Sequence, residues 1–357
     1  MKMLILSPRL DVTGGVSNFT KVLTSYLSFK HQLVFRGSPK KKFLGPLGEG
    51  ARFIWDYFNF FWQLLFWNPQ VVFLNISFSK QSIQRDFIYL FLSKLFRKKV
   101  VIFWHGWNES FESHVNNNPN HFFRKWYRKA DLAFCLSERF RKIMLEWGFT
   151  YPIHRTFTMI SDEEIKKANL AEVDATPRAA TFRLLWIGRM EKNKGLFEAI
   201  AITDQLREWG IDASLTICGD GQLRPELEKF LNEKKSDYIQ DRGLVFGIEK
   251  VKAFKESDAL LFSSFSPEGM PTVIIEAMSH GLIIFSGPVG GVPDFFKNEM
   301  GRLFTENSTL SMANTIKEFL EKKETEKTKQ YNRIFSMNNL YASKRVEFIE
   351  NEISKLC

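Results

Sequence analysis

Two glutamates with seven residues between them, Glu268 and Glu276, lie on either side of a Gly-Met-Pro turn that leads into an apolar run. Pro271 fits the first turn of a helix, where its missing N–H is no loss. We therefore expect Glu276 about one turn inside that helix and Glu268 on the loop before it. Carboxylates bind hydroxyl groups, and the N–H groups at a helix start suit an anion. The N–H groups available here belong to Gly269, Met270 and Thr272.

A nucleotide sugar offers groups that match this segment, because it carries ribose and sugar hydroxyls together with a diphosphate. Two cations add to the match. Arg189 and Lys194 are five residues apart after a strand predicted at 183–187. Arginine offers a forked set of donors and lysine a point charge, and both suit a diphosphate. Two unrelated surface cations are the alternative explanation for any single pair of this kind.

Glycine turns follow other predicted strands, at points where a backbone can approach a ligand closely. Gly14 and Gly15 come after the first strand and open a helix, a position that favours a phosphate. A Cys-Gly-Asp-Gly turn that contains Gly219 follows a strand predicted at 214–218. Tight turns also need glycine, so a structural role for each motif stays open.

Two more loops complete the set of candidate ligand contacts. Phe246 and Gly247 follow a predicted strand and could offer a flat apolar face and backbone groups to a base. Gly290 and Gly291 follow the strand predicted after the Glu276 helix, where their backbone could close on a ligand.

The elements that must position these residues alternate between strand and helix, which predicts α/β domains with doubly wound parallel sheets. Strands are predicted at 3–7, 70–74, 100–104, 131–136, 183–187, 214–218, 243–246, 259–262 and 282–285. Helices are predicted at 18–29, 195–209, 225–233 and 249–256. We expect one domain at 1–163 and a second at 164–341, with a linker at 164–181. A C-terminal helix at about 342–357 is expected to pack back on the first domain.

In this order the motifs resemble the donor-binding domain of glycosyltransferase family 4. The members of that family are retaining enzymes of the GT-B fold. The resemblance covers most of residues 183–305 and is looser in the first half. It implies two Rossmann-like domains that face each other across a cleft. The residues that carry it are Gly188-Arg-Met-Glu-Lys-Asn-Lys-Gly195, Cys218-Gly-Asp-Gly221, Phe246-Gly247, Ser264 to Gly281, Gly290-Gly-Val-Pro-Asp294, Gly14-Gly15, His105 and Ala130 to Ser137.

The same resemblance implies a role for each residue. Glu276 would hold the ribose hydroxyls, Glu268 the transferred sugar, and Arg189 with Lys194 the diphosphate. His105 would lie near the sugar, although a buried histidine at a strand end is the alternative. The backbone at Gly15, Gly188, Gly219 and Gly269 to Pro271 would assist near phosphate and sugar. The family's usual Asn-containing turn at the domain crossing is replaced here by Phe157-Thr-Met-Ile-Ser-Asp162.

Charge is divided unevenly along the chain. Residues 1–155 contain 23 Lys and Arg against 9 Asp and Glu, a balance of +14, whereas residues 156–357 have a balance of −4. The first half therefore suits an anionic partner. We expect no nucleic acid as that partner, because no recognised nucleic-acid motif is present. Three cysteines without metal-ligand or redox spacing point to a reducing cytoplasm.

An aromatic and basic segment suggests that the anionic partner is a membrane. At helical spacing its aromatic residues share one face and its basic residues another, as in an interfacial helix. The alternative is an ordinary helix whose aromatic side chains pack on the sheet. The basic runs 40–42 and 97–99 and the aromatic run 53–67 would add to such a surface. The segment's residues are Phe122, Phe123, Arg124, Lys125, Trp126, Tyr127, Arg128 and Lys129.

Together these observations predict a glycosyltransferase that needs no metal and no cofactor, since no Asp-x-Asp motif occurs in the chain, and the family resemblance implies that it is a retaining one. The expected donor is a nucleotide sugar, with UDP favoured over GDP. The expected acceptor is a glycan, lipid-linked, in bacterial envelope polysaccharide synthesis at the inner face of the cell membrane. The alternatives are a nucleotide-sugar epimerase or phosphorylase on a related fold, and a non-catalytic membrane-bound homologue.

Overall fold

The computed structural model describes residues 1–12, 14–37, 45–170, 181–265 and 268–357, which form two compact units. The first unit consists of Met1–Met159, Pro267–Met270 and Ala342–Cys357, and the second of Ile160–Ser266 and Pro271–Tyr341. The basic run at 40–42 and most of the expected linker lie outside the described residues.

The first unit is built on a parallel sheet of six strands in the order β2-β1-β3-β4-β5-β6. Strands β1, β3, β4 and β5 are apolar and buried because helices cover both faces of a parallel sheet. After β2 the chain returns to the other side of β1, so the order reverses between β1 and β3. The strands are β1 (Lys2–Pro8), β2 (Lys30–Arg36), β3 (Val71–Phe78), β4 (Lys99–Trp107), β5 (Leu132–Cys135) and β6 (Ile153–Arg155).

Among the residues that the structure describes, six helices connect these strands. Several begin at a polar cap: the Asn108 side chain accepts a hydrogen bond from the Phe111 N–H at 2.7 Å, and the Ser137 hydroxyl accepts one from the Arg139 N–H. A π-helical turn, Gln63–Trp67, continues the second helix. The helices are α1 (Gly15–Tyr26), α2 (Gly45–Trp62), α3 (Lys80–Leu95), α4 (Glu109–Asn116), α5 (Phe122–Tyr127) and α6 (Glu138–Glu146).

The second unit contains another parallel sheet of six strands, in the order β12-β11-β10-β7-β8-β9. Its order reverses between β7 and β10. The strands are β7 (Phe182–Arg189), β8 (Ala213–Asp220), β9 (Ile239–Asp241), β10 (Ala259–Phe262), β11 (Ile283–Ser286) and β12 (Gly301–Leu303). The helices are α7 (Asp162–Leu170), α8 (Leu196–Glu208), α9 (Arg224–Lys234), α10 (Gly247–Lys255), α11 (Thr272–Ser279), α12 (Thr309–Glu321) and α13 (Thr325–Asn339). The predicted class of doubly wound parallel sheets is confirmed.

A last helix, α14 (Ala342–Ser354), belongs to the first unit. The Glu350 carboxylate accepts hydrogen bonds from the backbone N–H and the hydroxyl of Ser28, at 2.6 and 2.8 Å. Glu352 lies 3.1 Å from the Nε2 of His154 on β6. These polar contacts fix the helix against the loop after α1 and against the edge of the sheet.

One predicted strand is wrong, and three strands were not predicted. Residues 243–246 form a loop, since Gly243 has a φ of +62°, and the strand is β9, a few residues earlier. Strands β2, β6 and β12 escaped prediction because they are short or carry polar residues such as His31, His154 and Arg302. All three are edge strands, and their residues are less fully buried than those of the central strands.

Two of the four aromatic side chains of α5 are fully buried in the core, so the prediction that these two meet a membrane is wrong. Phe123 and Tyr127 are fully buried, and the Tyr127 hydroxyl donates to the carbonyl of Ile83 at 2.7 Å. Phe122 and Trp126 pack against the same core, with ring centroids 5.8 and 5.3 Å from that of Phe87 on α3. This is the ordinary packed helix that the sequence left as the alternative.

The basic side chains of α5 and of the residues that follow it are divided between packing and solvent. Arg124 is half-buried and donates to the carbonyl of Val115 at 3.0 Å. Lys125, Arg128 and Lys129 are exposed. Within the described residues, no helix is long and apolar enough to cross a membrane.

Candidate functional site

The carboxyl ends of β7 and β8 form the floor of the candidate site in the second unit. Gly188 pairs with Gly219 across the two strands, and Arg189 pairs with Asp220. A Cβ atom on Gly219 would stand 1.9 Å from the carbonyl oxygen of Gly188, at a φ of +153°. Only glycine allows these strand ends to approach so closely. In doubly wound sheets, ligands bind outside the carboxyl ends where the strand order reverses, which here is between β7 and β10.

The loop that carries Lys194 is held by its backbone. The indole N–H of Trp186 donates to the carbonyl of Lys194 at 3.1 Å. The hydroxyls of Ser263 and Ser264, directly after β10, donate to the carbonyls of Gly195 and Asn193 at 2.5 and 2.8 Å. The indole bond holds the loop to β7 itself, and the two serine bonds tie it to the end of β10, so Lys194 is fixed at the reversal point of the sheet.

Arg189 is at the same edge, but its guanidinium is engaged elsewhere. Its Nη1 lies 2.6 Å from the Glu191 carboxylate, and the side chain is 72% exposed. An exposed ion pair of this kind contributes little to stability. Arg189 can therefore exchange Glu191 for a more highly charged anion at small cost.

The two glutamates lie as expected relative to their helix, with one correction. Pro271 is the N-cap of α11, and the helix begins at Thr272, so the prediction that Pro271 occupies the first helical turn is wrong. The φ of −64° suits proline, and the ψ of 117° places it before the helix proper. Glu276 is one turn inside α11, and Glu268 lies on the loop, half-buried.

Glu276 is paired with Lys250 of α10. The Lys250 ammonium lies 2.6 Å from Oε1 of Glu276, and the Glu276 side chain is only 17% exposed. Such a pair holds the carboxylate in one orientation. Lys250 was not predicted as part of the site, because 26 residues of chain separate it from Glu276 and nothing in the local pattern connects the two.

Two other glycine-containing loops of the second unit differ in burial: the loop after β11 is packed, and the one before α10 is exposed. The loop after β11 approaches the end of β10, since a Cβ on Gly287 would stand 2.3 Å from the carbonyl oxygen of Ser264. Gly290 follows with a φ of +50°, and Gly291 is buried. Phe246 is 59% exposed, and Gly247 starts α10. A depression of about 540 Å³ is lined by Phe246 and contains none of the other predicted donor contacts.

His105 occupies a bulge in the sheet of the first unit. The register of β3 and β4 shifts where Ile76 pairs with Trp104 and Ser77 with Gly106, which leaves His105 as the extra residue. Bulges of this kind re-aim a side chain and are common near functional sites. The imidazole stacks on Phe103 with ring centroids 4.4 Å apart and meets the edge of Phe19 at 4.6 Å.

Asn75 of β3 fixes the orientation of that imidazole. Its side-chain amide nitrogen donates to the carbonyl of Leu6 at 3.0 Å, so its oxygen must face His105, 2.7 Å from Nε2. The Nε2 atom therefore carries the proton, and Nδ1 remains as an acceptor. Asn75 was not predicted, although an amide side chain in the middle of the largely apolar run of β3 is a signal that could have identified it.

The segment before α11 packs within the first unit next to this histidine. Residues 268–270 group with that unit, and a Cβ on Gly269 would stand 1.8 Å from the carbonyl oxygen of His105. Met270, the residue after Gly269, is buried. Gly15 begins α1 directly after its N-cap Gly14, and a Cβ on either would meet open space. The structure thus brings the Glu268 loop to His105.

Burial keeps two imidazoles neutral. Desolvation, together with the nearby Arg36, lowers the pKa of His105 from 6.5 to about 3. Desolvation, with Lys255, Lys250 and Arg333, lowers the pKa of His280 to about 4. His280 follows α11, and its ring stacks on Phe254 at 5.0 Å. His105 is therefore a hydrogen-bonding group at neutral pH, not a cation.

These two lowered pKa values predict an acid-sensitive fold. An unfolded histidine takes up a proton near pH 6.5, so the stability present above pH 6.5 is lost as the pH falls toward the folded pKa. Between pH 7.5 and 5.0 the free energy of unfolding is expected to fall. We expect His280→Phe, which keeps the stack on Phe254, to make this fall smaller by about 2 kcal/mol. Urea unfolding at the two pH values measures this. His114→Phe, at an exposed position, is the control, and an unchanged loss in His280→Phe would contradict the prediction.

Within the described ranges, no group of three or more His, Cys, Asp or Glu side chains is arranged to hold a metal ion. Cys135, Cys218 and Cys357 form no disulfide; the first two are buried and Cys357 is exposed.

Residues 175–334 match the family model described as "Glycosyl transferases group 1". The chain is 30% identical over 173 residues to a Campylobacter jejuni α-1,4-N-acetyl-D-galactosaminyltransferase acting on a GalNAc-GalNAc-diNAcBac-PP-undecaprenol substrate, covering 46% of this chain and 42% of that protein. It is 22% identical over 230 residues to the putative colanic acid biosynthesis glycosyltransferase WcaL of Escherichia coli, covering 62% and 55%. The chain thus spans about half the length of these relatives.

Among solved structures, the chain is similar to the Anabaena protein HepE in complex with UDP-glucose. The TM-score is 0.72 at 14% identity, over 99% of this chain and 100% of that one. This likeness establishes the fold, which is GT-B.

Proposed function

We propose that this protein is a retaining, metal-independent glycosyltransferase of the family 4 type, which transfers a sugar from a nucleotide-sugar donor to a lipid-linked glycan. The observation that carries the proposal is the loop cluster at the reversal point of the second sheet. Two cations, Arg189 and Lys194, follow β7, and α11 with Glu276 follows β10, at the edge where doubly wound sheets bind nucleotides. The same residues lie within the matched region 175–334.

In this proposal the donor binds along the edge of the second sheet. Glu276, oriented by Lys250, accepts hydrogen bonds from the ribose hydroxyls. Arg189 and Lys194 neutralise the diphosphate, and the positive N-terminal end of α11 adds to that field. Phe246, Gly247, Gly290 and Gly291 supply backbone and an apolar surface around base and sugar. UDP is the favoured nucleotide.

Transfer breaks the bond between the anomeric carbon and the diphosphate oxygen and forms a bond from that carbon to the acceptor hydroxyl. Charge develops on the departing diphosphate, where the fixed cations stabilise it. The acceptor attacks from the same face, and its proton passes to the leaving phosphate. Glu268 binds hydroxyls of the transferred sugar. His105 presents Nδ1 as an acceptor to that sugar, because Asn75 holds Nε2 as the donor.

We propose a lipid-linked acceptor in bacterial envelope polysaccharide synthesis, used at the inner face of the cell membrane. Two relatives support this class: one acts on an undecaprenol-linked glycan, and another is named for colanic acid. The charge balance of +14 in residues 1–155 suits the anionic surface from which such an acceptor is presented.

A thermal-shift screen across UDP-, GDP- and ADP-sugars tests the donor. A ligand at 100 times its Kd stabilises the folded state by about 2.7 kcal/mol, or roughly 5 to 10 °C for a unit of this size. We expect one UDP-sugar to give such a shift and Glu276→Ala to lose it. Slow hydrolysis of that donor should continue in the presence of a chelator. No shift with any nucleotide sugar, or complete loss of hydrolysis with the chelator, would contradict the donor and the metal-free mechanism respectively.

A further inference from the structure

We propose that the outward side of α2 and its π-helical turn is a docking surface for an anionic bilayer. Six apolar side chains, 48 to 72% exposed, form this surface, which we call the aromatic face. They are Ile54, Trp55, Phe58, Trp62, Leu65 and Phe66. The inference rests on the proposed function only for the location of the acceptor; the surface itself is argued from its own contacts.

Helix α2 is apolar on two opposite sides. Phe60 and Leu64 are fully buried, and Tyr57 packs against the same core. At 100° per residue, the six side chains of the aromatic face fall within one arc of the helix. Tyr57, Phe60 and Leu64 lie on the opposite side of it. A surface helix of a globular protein needs only one apolar side, so the second requires a partner other than this core.

The aromatic face is continuous and uncharged. Ring centroids of Trp55 and Phe58 lie 5.9 Å apart, those of Phe58 and Trp62 5.9 Å, and those of Trp62 and Phe66 4.1 Å. Asp56, the single charged residue of the run 53–67, turns inward and binds Arg52 at 2.7 Å. Aromatic side chains of this kind prefer the boundary between lipid and water.

Helix α3 extends the apolar surface. The Phe61 ring meets that of Phe96 at 5.4 Å, which joins the aromatic face to the end of α3. Phe91 and Leu95 on α3 are also exposed, at 40 and 63%. A contiguous patch on two helices is larger than the scattered apolar residues of an ordinary surface.

Cations surround the end of this patch. The Lys2 ammonium donates to the carbonyl of Trp67 at 3.2 Å, and Lys98 binds the side chain of Asn68. Arg97, directly after Phe96, is exposed with a left-handed φ of +55°. Lysines and arginines beside an apolar face attract anionic headgroups.

Charge decides between a bilayer and a second copy of this chain as the occupant. Two copies that met at this patch would bring together two surfaces with the same positive balance, whereas an anionic bilayer complements it. The bilayer also accepts an uncharged aromatic face without requiring shape complementarity. The membrane-docking helix is thus α2, and the earlier candidate α5 packs in the core.

Flotation with phosphatidylglycerol-containing vesicles at low salt tests this surface. We expect the full chain to float, and a variant with Trp55→Ser, Phe58→Ser, Trp62→Ser and Phe66→Ser to bind at least roughly 100-fold more weakly. A variant with Arg97→Ser and Lys98→Ser should lose about five-fold per charge. Vesicles of phosphatidylcholine alone should bind weakly and show no effect of the charge variant.

The matched control is Leu310→Ser with Ile334→Ser, which removes two exposed apolar side chains from the second unit and should float normally. Retained donor-induced thermal shift shows that the variants are folded, and it reports on the proposed function independently of flotation. Failure of the wild type to float, or equal flotation of the aromatic-face variant, would overturn the proposal. Conversion of a dimer to a monomer by that variant, with flotation unchanged, would show self-association instead.

Discussion

Replacing Glu268 by alanine is expected to lower kcat for transfer by at least roughly 1,000-fold, with folding intact. The half-buried carboxylate lies on the loop before α11, next in sequence to Gly269, which packs on the backbone of His105. A hydroxyl-binding carboxylate that acts on the transferred sugar contributes most when charge develops on that sugar. Because Glu276 is unchanged, the UDP-induced thermal shift should persist.

Glu306→Ala is the matched control, since Glu306 is an exposed glutamate on a loop of the second unit. It should transfer at the wild-type rate. A Glu268→Ala enzyme with near-normal turnover would sink the assignment of this residue. Glu268→Gln separates charge from hydrogen bonding: partial activity would indicate that the accepting oxygen suffices without the negative charge.

The second large effect is expected at the two cations after β7. Lys194→Ala should lower kcat by 10²- to 10³-fold, because the loss of a fixed charge at the leaving group falls on the transition state. Arg189→Ala should have an effect of the same order. In both variants KM for the donor should rise less than kcat falls. Steady-state kinetics with the donor identified by the thermal-shift screen measures this.

Lys192 provides an internal control, because it lies in the same loop, is exposed, and carries the same charge. Lys192→Ala should leave kcat within about two-fold of the wild type. Equal losses in Lys192→Ala and Lys194→Ala would show that only the general positive field matters. Glu191→Ala removes the present partner of Arg189 and should not impair transfer.

Local patterns predicted the parts of the fold that are buried on both sides. Strands such as β3 and β4 read directly as apolar runs, because a central parallel strand meets helices on each face. The short strand β9 could not be found in this way, since its three residues carry too little pattern, and the adjacent run 243–246 has more apolar residues than the strand itself.

Residues that lie close together in sequence could be proposed as one site, whereas the residues that hydrogen-bond or pair with them from other elements could not. Lys250 and Asn75 orient Glu276 and His105, but each comes from a different element and depends on tertiary packing. The misassignment of α5 has the same origin. An amphipathic pattern indicates that one side of a helix is apolar, and it does not indicate whether core or lipid covers that side.

The return of α14 to the first unit has a consequence for how the chain is made and altered. Neither unit is a continuous stretch of sequence, so the first unit cannot finish folding during synthesis until residues 342–357 have left the ribosome. A chimera intended to change donor choice would have to graft residues 160–266 and 271–341 as an internal insert, with residues 267–270 kept from the first unit's parent. Joining two halves near residue 160 would separate Glu350 from Ser28 of its own unit.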